Sequence, residues 1–104
     1  MENQMPVMEI IHVRLYDPGE ANKVLMAFLR LRESFGTRSS LYRDSTLVSD
    51  WTIRIDRSEV SIQLGKSQAA NCAAELLRSI GLVHHAVWIQ VPIESGHTAN
   101  GLTG

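Results

Sequence analysis

Across residues 50–91 the hydrophobic period of this chain changes from that of a strand to that of a helix and back, and no other feature restricts the fold as much. In residues 50–55 (DWTIRI), Trp51, Ile53 and Ile55 alternate with Asp50, Thr52 and Arg54, as in a strand covered on one side. In residues 67–81 (SQAANCAAELLRSIG), Ala69, Ala70, Ala73, Leu76, Leu77 and Ile80 fall on one helical stripe that Gly81 closes. Residues 82–91 (LVHHAVWIQV) alternate again, and Pro92 ends the run because it has no N–H to give to a ladder.

The first half repeats the strand-then-helix order. Over residues 7–16, Val7, Glu9, Ile11, Val13 and Leu15 share one face, while Met8, Ile10, His12, Arg14 and Tyr16 share the other. Asp17, Pro18 and Glu20 read as N-cap, first helical residue and capping-box acid. Ala21, Val24, Leu25, Phe28, Leu31, Arg32 and Phe35 then recur at near-helical spacing up to Gly36, a candidate helix stop. Residues 37–44 form a second strand, and residues 45–49 turn into the third. Residues 57–66 read either as an extension of that strand through Val60, Ile62 and Leu64 or as an irregular lead into the second helix. The order βαββαβ predicts an α+β, ferredoxin-like sandwich: one antiparallel sheet with two helices on one face. Residues 7–91 make the single domain, after an N-terminal extension (1–6) and before a flexible polar tail (92–104).

Composition narrows the function classes. At 104 residues the chain suits one domain. Its charges are interspersed and sum to -1, so no face can be assumed to attract nucleic acid or an anionic membrane, and neither is expected as a partner. Apolar runs fall far short of the ~20 residues that span a bilayer, and MENQMPVMEI lacks the layout of a signal peptide. One cysteine, Cys72, allows no internal disulfide and no cysteine-based zinc site. It lies on the flank of an apolar helix with no evident base, and reads as a buried, inert thiol. The reading is a cytoplasmic protein.

Strand parity puts Val7, Ile11, Val13, Leu15, Trp51, Ile53, Ile55, Val87, Ile89 and Val91 under the helices. The uncovered face then carries Met8, Ile10, His12, Arg14, Tyr16, Thr52, Arg54, Asp56, His84, Ala86, Trp88 and Gln90. That set is too apolar for a freely solvated face and too polar for a core, which favours a dimer interface or ligand floor.

Asp50-Trp51-Thr52-Ile53-Arg54-Ile55 and Gly81-Leu82-Val83-His84-His85-Ala86-Val87-Trp88 resemble the third and closing strands of small bacterial, antibiotic-biosynthesis monooxygenase-like proteins of the dimeric α+β barrel superfamily. The resemblance covers residues 7–91. It implies a homodimer whose sheets face each other, and a cavity between sheet and helices where Trp51 could contact a flat ligand.

The candidate chemistry is modest. Gly65-Lys66-Ser67 lacks the leading glycine of a phosphate loop, because Val60 stands there. His12 and His84 face the uncovered side together, whereas His85 turns the other way; two imidazoles make a weak metal site unless Asp56 or a partner adds to it. Hydrogen-bonded histidines near strand ends are the preferred reading, and neither a metal nor a cofactor is expected. Arg14, Arg54 and Asp56, beside Tyr16 and Trp88, could hold an anionic or phenolic ring, or form Arg–Asp pairs across a dimer. The favoured function is a homodimer with a pocket for an aromatic or anionic small molecule, lined by Trp51, Asp56, His84 or Trp88. The alternative is a cofactor-independent or heme-linked monooxygenase of phenolic or quinone-like substrates, with His12, Arg14, Tyr16, Arg54 and His85 as polar candidates.

Overall fold

The computed structural model describes residues 5–59 and 65–93, with side chains described for 6–57 and 65–93. Four strands and two helices follow in the order β1 (Met5–Leu15), α1 (Ala21–Phe35), β2 (Ser39–Arg43), β3 (Asp50–Glu59), α2 (Gln68–Arg78) and β4 (Gly81–Ile89). The sheet order is β2-β3-β1-β4 with every neighbouring pair antiparallel. This is the α+β, ferredoxin-like arrangement, with β1 in the interior of the sheet.

Alternation on the strands produces the core. Ile11, Val13, Leu15, Ile53 and Ile55 are buried beneath Val24, Ala27, Phe28 and Leu31 of α1 and Ala70, Ala73, Ala74 and Leu77 of α2. Three alanines on α2 leave little side-chain bulk between helix and sheet. Leu77, almost fully enclosed, contributes about 1.5–3 kcal/mol of apolar burial.

Several local details differ from expectation. Strand β1 begins at Met5, so the N-terminal extension is partly strand, with Pro6 opposite Ser58. Asp17 caps a short 3-10 turn (Pro18–Glu20) by accepting from the Gly19 N–H at 2.9 Å. Glu20 reaches forward to Lys23 at 2.7 Å, so no capping box closes. A second 3-10 turn (Gly36–Arg38) delays β2 to Ser39, and Gly36 takes φ +57°, where a Cβ is disfavoured. Both helices present a slightly rotated face. Ala27 and Ala74 are buried, while Leu25, Arg32 and Leu76 are exposed. Cys72 is also exposed, because it precedes the buried pair Ala73 and Ala74 and falls on the solvent side of α2. The expected buried thiol is therefore corrected. Strand β3 runs to Glu59, as the strand-extension reading requires for its first residues; Val60, Ile62, Leu64 and residues 94–104 lie outside the described residues.

Candidate functional site

At the end of the sheet where β1 begins and β3 and β4 finish, three uncovered-face side chains lie in one cross-strand row. Met8 pairs with Asp56 on one side and with Trp88 on the other. This row floors an open cleft of about 620 Å³ whose wall also includes Arg38, Arg54 and Arg57. Trp88 is 57% exposed. Arg54 Nε donates to Asp56 Oδ1 at 3.0 Å, but both side chains are about half exposed, so the pair contributes little and can reopen to a ligand. The Arg38 guanidinium stands 5.7 Å over the Phe35 ring, and no carboxylate among the described residues pairs with it.

Behind the cleft lies a buried polar network. Arg57 has the parity of Ile53 and Ile55, so it points under the helices, and its Nη1 donates to Glu9 Oε1 and to the Gly65 carbonyl, each at 2.9 Å. Glu9 lies between Val7 and Ile11 on the apolar face of β1 and is fully enclosed. Its Oε2 accepts the Ser67 backbone N–H at 3.0 Å and meets His85 Nε2 at 2.5 Å. Ser67 caps α2, its Oγ accepting the Ala70 N–H at 3.2 Å. The Glu9 carboxylate thus occupies the positive end of α2, where a negative charge is favoured. The other ring nitrogen of His85 is Nδ1. That atom is buried and has no hydrogen-bond partner among the described residues; the same holds for Trp51 Nε1.

A third group occupies the other end of the uncovered face. Arg14 grips both oxygens of Asp50 at 2.9 Å, the Ser49 hydroxyl donates to Oδ1 at 3.0 Å, and His12 Nε2 stands 3.5 Å from Oδ2. The hydrogen bonds from Arg14 are the main cause that pulls the Asp50 carboxyl from 3.8 to about 2. Asp44 is also lowered, first by the backbone N–H of Leu47 and then by that of Thr46. A carboxyl depressed by folding stabilises the protein above its ordinary pKa and loses that contribution as pH falls through its folded value. Stability should therefore fall between about pH 4 and pH 2. Asp50→Asn should flatten part of that acid limb, with Asp44 retaining the rest; urea midpoints taken across this range provide the check.

The candidate residues do not form one site. Arg54, Asp56 and Trp88 border the cleft, while His12, Arg14 and Tyr16 lie at the opposite end of β1. His12 and His84 are register partners on the uncovered face, yet no three His, Cys, Asp or Glu side chains converge as metal ligands among the described residues. His85 lies on the other side of the sheet, and Trp51 packs against the core. Arg14 pairs with Asp50 across strands, and Arg54 with Asp56 along one strand. Glu9, Arg38 and Arg57 were not among the candidates. A signal for two of them existed: Glu9 and Arg57 are charged residues at apolar parity, as His85 is a polar one.

No family model and no curated protein matches the sequence. Two solved structures share the fold, both provisionally assigned as antibiotic biosynthesis monooxygenases. One, from Bordetella bronchiseptica, is 15% identical at a TM-score of 0.60, covering 88% of this chain and 100% of that one. The other, from Caulobacter crescentus, is 12% identical at a TM-score of 0.59, covering 88% and 93% respectively. The likeness is one of fold.

Proposed function

We propose that this chain acts as a homodimer of the α+β barrel type that binds a small aromatic or anionic molecule. The observation that carries the reading is the cleft, in which arginines surround an exposed tryptophan while a buried network anchors Arg57. Such a mixture of apolar floor and few directed polar groups suits small-molecule recognition. The uncovered sheet face supports the dimer, since Trp88, Leu82 and Tyr42 are each more than half exposed on it. A second copy facing that surface would roof the cleft. No helix among the described residues is long and apolar enough to cross a membrane.

Trp88→Arg should weaken self-association by about 2 kcal/mol or more, on the order of 30-fold. Light scattering over a concentration series measures this. A wild-type protein that stays monomeric at high concentration would remove the dimer from the proposal.

A second reading, cofactor-independent oxygenation of a phenolic or quinone-like substrate, is favoured by His85 Nδ1 alone. Glu9 would orient the ring, and for the enclosed Nδ1 to take the phenolic proton α2 must first part from β4. A heme does not fit there: the His85 side chain is 1% exposed, and α2 packs directly onto β4, so the described residues leave no slot for a macrocycle. Oxygen uptake with dihydroxyaromatic substrates tests this reading, and uptake unchanged in His85→Asn would eliminate the imidazole as the base.

A further inference from the structure

The two ends of α2 are held by different kinds of contact. We propose that α2 is a hinged lid over His85, pivoting on residues 77–81 and latched at its first turn by the Glu9 carboxylate. At the pivot, Leu77 and Ile80 are buried in the core. The Tyr16 N–H donates to the Ile80 carbonyl at 3.0 Å, and Gly81 fits close against the Arg14 carbonyl. Over the first turns the buried side chains are all alanines: Ala70, Ala73 and Ala74. A methyl buries far less apolar surface than a leucine or isoleucine side chain, so these turns leave the sheet at a much smaller loss. Support from the side is slight as well. Gaps of about 230 Å³ and 280 Å³ open between α1 and α2, the first beside Ala69, Cys72 and Ala73 and the second beside Leu76 and Ser79.

The latch is polar. Ser67, the N-cap of α2, donates its backbone N–H to Glu9 Oε2 at 3.0 Å. Just before it, the Gly65 carbonyl accepts from Arg57 at 2.9 Å. Glu9 Oε2 also meets His85 Nε2, so the atom that holds the lid shut holds the imidazole beneath it. With the latch closed, the His85 side chain is 1% exposed, and its Nδ1 is buried without a partner among the described residues. Lifting the first turns brings that nitrogen into contact with solvent, a local opening that leaves the sheet intact. The opening is the access that the oxygenation reading requires, yet it occurs whether or not a reaction follows.

Native-state amide exchange of the full chain, with diethyl pyrocarbonate labelling of His85 located by fragment masses, tests the lid. After correction for intrinsic rates, the amides of residues 72–74 should exchange about tenfold or more faster than those of Tyr16 and Ile53. That exchange and the labelling of His85 should share one weak dependence on dilute urea, the mark of an opening that exposes little surface. Two variants then separate the latch from the helix cap. Ser67→Ala removes the Oγ acceptor but keeps the N–H; Ser67→Pro removes both, and proline suits the φ of -74° at this residue. Ser67→Ala should speed exchange at residues 72–74 by about fivefold. Ser67→Pro should speed it by about tenfold beyond that, with His85 labelling rising in step. Labelling of His85 with the full urea dependence of global unfolding overturns the lid, whether or not residues 72–74 exchange fast, because fraying alone does not uncover the ring. Equal rates in Ser67→Pro and Ser67→Ala overturn the Glu9 latch. The wild-type slopes decide the lid without either variant, and neither result depends on oxygen uptake or on a ligand in the cleft.

Discussion

Replacing Glu9 with alanine is expected to cost about 3–5 kcal/mol of folding stability, the effect of breaking a buried ion pair by removing one member. The Arg57 side chain is 4% exposed and would lose the Glu9 carboxylate, the Ser67 N–H would lose its acceptor, and His85 would have neither ring nitrogen bonded among the described residues. For a chain of this size each kcal/mol lowers Tm by about 4–8 °C, so the variant should melt about 12 °C or more below the wild type. Urea denaturation gives the same quantity from the midpoint shift. The double variant Glu9→Met with Arg57→Met should lose much less than Glu9→Ala, because an apolar pair leaves neither half of the ion pair buried. A loss below about 1 kcal/mol for Glu9→Ala would contradict the burial of the network.

Gly81→Ala should be nearly as damaging for a steric reason. A Cβ at Gly81 would lie 2.4 Å from the Arg14 carbonyl oxygen, 2.8 Å from Val13 Cγ2 and 2.9 Å from the Arg14 carbonyl carbon. Two of those atoms are backbone and cannot swing aside. Gly81 opens β4 opposite Leu15, so relief requires moving one strand off the other at the start of their ladder. Overpacking of this kind costs about 1–3 kcal/mol, and more when backbone must shift. Thermal melts of Gly81→Ala beside Gly36→Ala separate the causes, since Gly36 meets no neighbour within 4 Å and an alanine there is strained only by its positive φ. A Gly81→Ala protein that melts with the wild type would refute the close approach.

The arrangement of the sheet was legible because alternation is a local property. Val7 to Leu15 and Trp51 to Ile55 show their parity over a few residues, and a slip of one position would exchange the faces of the whole strand. The helix faces were legible only to within one position: Leu25 and Leu76 look like core residues until the sheet's placement decides which arc each helix presents. The candidate site was harder to read, because its members are brought together across long separations. Glu9 and Ser67 are 58 residues apart and Glu9 and His85 are 76 apart. No spacing rule links them; the only trace is a charge where an apolar side chain belongs. Arg38 left no trace, since its position depends on the 3-10 turn that delays β2.

The interior place of β1 has a consequence for how the chain reaches its native state. The strand is synthesised before both of its neighbours, yet β4 ends only at Ile89. Ribosomal elongation at ~5–20 residues per second leaves β1 without its second neighbour for roughly 4–15 s. Throughout that interval Glu9 lacks its His85 partner, and every pairing the strand eventually makes closes a long loop. Such topologies fold slowly for their size. The last strand to arrive is β4, which aligns His85 with Glu9 and supplies the second side of β1.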